Sequence, residues 1–129
     1  MNDKTEALIK YRMEKAVETL EAARILCREG KNFSAVNRIY YATFYAVSAL
    51  LITKGLSSSK HAGVLSLFNQ EFVNKGLVDK DSGRFFNRMY HYRQKGDYQD
   101  FMEFDKADVR NWLKRAENFI QDMRELSTS

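Results

Sequence analysis

Nine side chains in this sequence have the types and the spacing to hold an anion or move a proton. Arg84, Arg88, His91 and Lys95 recur every three or four residues, so on a helix they project from one face. Such a basic stripe suits phosphate contacts, which are strongest at low salt; the alternative is a solvated charged face. Arg84 and His91 stand two helical turns apart, so an arginine and an imidazole share that face. Lys60 and His61 follow a run of serines, where a helix N-terminus would offer its unpaired N–H groups to an anion. A structural hydrogen bond by His61 is the alternative there. Arg93, Asp97 and Tyr98 make the third group. The arginine fork can bind phosphate, and Tyr98 can donate a hydrogen bond but makes a poor base with a reference pKa of about 10. Asp97 reads equally well as the ion-pair partner of Arg93.

Other chemistries lack their residues. The two histidines lie in different segments, with no Cys pair and no His-x3-His, so neither a metal site nor a cofactor is expected. Cys27 is the lone cysteine, which excludes an internal disulfide and suits a small buried residue. Neither a Gly-rich phosphate loop nor a serine nucleophile motif occurs.

Helices must position these groups. The chain has no proline, and its six glycines are read as falling between the apolar-periodic stretches. The first helix, about residues 3–29, carries Leu8, Met13 or Ala16, Leu20, Ala23 and Cys27 at helical spacing and stops at Gly30. The second, about residues 34–54, is capped by Ser34. It is apolar on most sides through Tyr40, Tyr41, Phe44, Val47 and Leu51, as a central helix would be. A shorter third helix spans about residues 60–74, and a fourth about residues 80–95, ended by Gly96. Residues 97–104 read as a loop leading to Asp105, the cap of a last helix over about residues 106–126. The expected fold is all-α, about five helices in an up-and-down bundle, one domain over residues 1–129.

Bulk properties agree with that fold. Apolar residues make up 44%, aromatics 13% and charged residues 29%, a globular composition with enough apolar side chains for one core. A net charge of +4 permits an anionic partner without demanding one. The N-terminus has no apolar stretch of signal-peptide length, and Ser48 interrupts the longest apolar run, so a cytoplasmic protein without a membrane span is expected.

Three stretches carry a resemblance. AVNRIYYATFYAVSALLITKG at residues 35–55, SKHAGVLSLFNQEFVNKG at 59–76 and YRQKGDYQDF at 92–101 resemble, in order, the hallmark elements of a small prokaryotic HEPN family. Here Ala62 intervenes between His61 and Gly63 of the second element. The third matches an Arg-x-x-x-Asp-Tyr element. The resemblance implies a helical bundle that often dimerises, with a cleft in which an arginine and a following histidine cut RNA without metal. Some such proteins act as toxins beside a nucleotidyltransferase-fold antitoxin. In this chain the place of that histidine is held by Tyr98.

Metal-independent cleavage needs a base for the ribose 2′-hydroxyl, an acid for the leaving oxygen and a cation for the phosphorane. The leading expectation is thus a protein that binds RNA or a nucleotide in a cleft built by Arg93, Asp97 and Tyr98. Arg84, Arg88, His91 and Lys95 would hold the nucleic acid, and cleavage is left open. The aromatic excess on the second helix suggests a homodimer. The rival is a non-catalytic module that pairs with itself or another protein.

Overall fold

The computed structural model describes residues 2–100 and 102–128. It contains helices α1 (Asp3–Arg28), α2 (Asn32–Ile52), α3 (His61–Phe68), α4 (Lys80–Tyr98) and α5 (Lys106–Thr128), with a π-helical turn at Asn69–Val73 continuing α3. The described residues include no strand, and the expected five-helix, all-α architecture is present. Phe101, the end of the third hallmark stretch, lies outside the described residues.

Local chemistry sets the boundaries. Asn2 caps α1 by accepting the Thr5 N–H at 2.8 Å. Gly30 reverses the chain at φ +78°, a left-handed conformation that costs glycine little. α2 then begins at Asn32, two residues before the Ser34 expected to cap it, and its N-cap Lys31 makes no side-chain capping bond. The Asn32 amide instead donates to the Phe104 carbonyl at 3.1 Å, tying the start of α2 to the chain before α5. Asp79 caps α4 through the Ser82 N–H, and Asp105 accepts the Ala107 N–H as its capping role requires.

α2 is the central element, packed against α1, α5, α4 and α3. Its length and apolarity would suffice to cross a membrane, but 67% of that stretch is buried inside the bundle. Small residues permit this: Ala35, Ala42, Ala46 and Ala49 are fully enclosed, as are Ala16 and Ala23 of α1, so the backbones approach closely. Each large side chain buried here, such as Phe68, Phe86 or Leu50, contributes about 1.5–3 kcal/mol. On α1 the inward position is Ile9 rather than the expected Leu8, which is 40% exposed, because Ile9 lies one turn before Met13.

Two expectations about glycine fail together. Gly63, Gly83 and Gly96 lie inside helices rather than between them, and α4 runs past Gly96 to Tyr98. The reason is close packing. A Cβ on Gly96 would stand 3.0 Å from the Phe33 ring, and one on Gly83 would meet Val73 at 2.9 Å. Asp97 and Tyr98 therefore stand on the last turn of α4 rather than in a loop, which fixes their directions.

Candidate functional site

The extension of α4 places Asp97 one turn beyond Arg93. Their side chains are 19% and 28% exposed, and Arg93 Nε lies 2.9 Å from Asp97 Oδ2. The contact is an ion pair without the alignment of a good hydrogen bond. Arg93 Nη2 also donates to the Tyr41 hydroxyl at 3.3 Å. Its guanidinium carbon sits 5.5 Å from the Tyr41 ring centre and 5.7 Å from that of Tyr40. Arg38 approaches the same Tyr41 ring at 4.8 Å, so two arginines share one aromatic.

His61 enters this cluster from the start of α3. Its Nδ1 lies 2.8 Å from the Tyr40 hydroxyl, and its ring stacks on Phe44 at 4.4 Å and 14° while meeting the Tyr41 edge at 5.5 Å. Tyr40 itself is fully buried, stacked on Phe86. Burial pushes the Tyr40 phenol well above its ordinary pKa, and the charge of Arg93 only partly opposes this. Burial, and secondly Arg93, hold the His61 imidazole below its usual range. Near neutral pH the cluster therefore contains a neutral phenol and a neutral imidazole beside the Arg93–Asp97 ion pair, with Arg38 over Tyr41.

Of the residues singled out from sequence, the fold brings Arg93, Asp97 and His61 into one region, leaves Lys60 just before α3 and spreads the others along α4. Arg84, Arg88, His91 and Lys95 are all exposed on a different face of that helix from Arg93. Arg84 is paired with Asp81. Tyr98 is 80% exposed. Its spacing puts it in line with His91 and Lys95, so it prolongs the stripe. Lys60 is exposed beside His61.

Sequence reasoning leaves Tyr41 open between the core and a base-stacking role, and misses Tyr40 and Arg38 as surroundings of Arg93. The signal was a cation one turn before an aromatic run, which the core reading of that run absorbed. Among the described residues no group of three or more His, Cys, Asp and Glu could hold a metal ion.

Arrangements of this kind can bind a phosphate beside aromatic surfaces, and comparison with known proteins places the chain. A HEPN domain family model matches residues 9–126. A UPF0332 protein of Thermotoga maritima is 49% identical over 126 residues, covering 98% of this chain and 95% of that protein. Two Methanocaldococcus jannaschii proteins are also similar. "Putative toxin MJ0605" is 41% identical over 90% of this chain and 86% of its own length. "Putative toxin MJ0142" is 38% identical over 84% and 74%. The chain belongs to the HEPN domain family.

Proposed function

We propose that this chain is a toxin-type HEPN protein that binds RNA or a nucleotide around Arg93; whether it also cuts RNA without metal is what the test below decides. The observation that carries the reading is the partly buried Arg93, steered by Asp97 and Tyr41 and adjoining the His61 imidazole. A guanidinium so held is a preorganised cation for a phosphate, and for the extra charge of a phosphorane. The stripe of Arg84, Arg88, His91 and Lys95, ending at Tyr98, would carry the flanking nucleic acid. Tyr98 would serve as a donor or stacking surface rather than as a base. The two relatives whose names read "Putative toxin" support the toxin reading; in that setting the chain would be cytoplasmic, form a homodimer and pair with a nucleotidyltransferase-fold antitoxin.

The test is cleavage of a mixed-sequence RNA in EDTA by wild type and Arg93→Ala. RNA binding, and any cutting, by wild type but not by Arg93→Ala is the expected result. If wild type neither cuts nor binds RNA, the proposal fails. One observation favours the rival reading of a non-catalytic interaction module: Asp97 already neutralises Arg93, as a purely structural helix pair would. Under that reading Arg93→Ala leaves every RNA or nucleotide signal unchanged.

A further inference from the structure

We propose that Tyr40 and His61 form a phosphodiester-binding element, in which the buried phenol donates to Nδ1 and so fixes the imidazole as the uncharged Nε2–H tautomer beside Arg93. The inference rests on the reading that an RNA or nucleotide phosphate enters the Arg93 recess, and it assigns that phosphate a second donor from a different helix.

The argument begins with the phenol. Tyr40 is fully buried, its ring enclosed by those of Tyr41, Phe44, Phe86 and Tyr90, and its hydroxyl meets His61 Nδ1 at 2.8 Å. A buried O–H needs an acceptor, and Nδ1 is the nitrogen within reach. A neutral imidazole carries one N–H, so when Nδ1 accepts, the hydrogen is on Nε2. That edge of the ring faces away from the buried phenol, and His61 is only partly buried. Stacking on Phe44 at 4.4 Å holds the ring plane, and the Tyr41 edge bounds its side.

The surrounding charges favour this state. Arg93 approaches from α4 with Asp97 paired to it, Tyr41 from α2 with Arg38 over its ring, and Lys60 precedes His61 in the chain. Burial opposes a second proton on the ring, and Arg93 does so to a lesser extent. A base role for His61 meets a specific obstacle. To take a proton at Nε2 the ring would first have to carry its hydrogen on Nδ1, facing the Tyr40 O–H, and the phenol would have to turn its own hydrogen into the ring cage. The arrangement thus supplies a neutral donor beside a guanidinium whose charge Asp97 shares, so a phosphodiester would compete with that carboxylate for Arg93.

The experiment uses the full chain with imidazole-labelled histidine. Nitrogen NMR near neutral pH reads the tautomer, and titration of a short fluorescein-labelled mixed-sequence RNA reads binding by wild type, His61→Gln, His61→Leu and Arg93→Ala. The expected tautomer is Nε2–H. His61→Gln, whose amide nitrogen stands where Nε2 does, should bind within about threefold of wild type, and His61→Leu should lose about tenfold. An Nδ1–H tautomer or an imidazolium overturns the inference. So does His61→Leu binding like wild type while Arg93→Ala fails to bind, in which case the Arg93 reading stands alone. Wild type that binds no RNA overturns both. Circular dichroism checks each fold; should His61→Leu not fold, the tautomer and the Gln variant decide.

Discussion

The Tyr40 hydroxyl and His61 Nδ1, 2.8 Å apart, join the central helix to the start of α3 at the point where Arg93 arrives from α4. The contact couples a core residue to a partly exposed one, so the state of the imidazole is felt by the fold and by the surroundings of Arg93 alike.

That coupling has a pH signature. Burial and Arg93 hold the folded-state pKa of His61 below its ordinary value, so the unfolded chain takes up this proton first as pH falls. The stability contribution is full above the unfolded value of about 6.5, declines as pH drops below it, and levels off beneath the folded value. Thermal melts of wild type and His61→Gln between neutral and mildly acidic pH check this. Wild type should lose more stability on acidification than the variant; parallel losses would show that His61 is not responsible.

Asp97 restrains Arg93 as well as orienting it. In Asp97→Asn the guanidinium is released toward a ligand and a nearby negative charge is gone, so RNA affinity should rise by about threefold at low salt and less at high salt. Folding stability should fall by roughly 0.5–1.5 kcal/mol, since both partners are partly buried. Fluorescence titration and urea denaturation read the two effects. Weaker RNA binding with the fold intact would mean that Asp97 acts by positioning Arg93 rather than by occupying it.

Much of the fold was legible because helical periodicity is a local property. Ala16, Leu20, Ala23 and Cys27, and later Val109, Ala116 and Met123, repeat at the spacing of one buried face, and the structure buries each of them. What could not be read was where glycine acts as a spacer rather than a stop. Gly83 and Gly96 are set by Val73 and Phe33, partners that only the tertiary structure brings near. The site divides in the same way. Arg93 and Asp97 are four residues apart and so were recognisable as a pair, whereas His61 and Tyr41 reach Arg93 through packing of α2, α3 and α4.

Gly83 offers a test of that spacer role. It lies within α4 against Val73 of the π-helical turn, and an added Cβ would meet Val73 Cγ2 at 2.9 Å. Val73 is β-branched and cannot turn aside cheaply. Gly83→Ala should therefore destabilise the protein by about 1–3 kcal/mol, overcoming the gain of up to about 1 kcal/mol that alanine brings to a helix interior. A denaturation midpoint at or above that of wild type would show that the π-helical turn yields freely.

The two faces of α4 should separate in their response to salt. Arg88 and Lys95 are exposed on the stripe, and if each neutralises one phosphate, replacing both by alanine should lower the salt slope of single-stranded RNA binding by about 1.4. Tyr98→Ala removes a stacking surface that is 80% exposed and carries no charge, so it should weaken binding by roughly 1–3 kcal/mol while leaving that slope in place. Fluorescence titrations across a salt series measure slope and affinity together. If the double variant keeps the wild-type slope, the stripe is a solvated face, and the recess at Arg93 must account for binding alone.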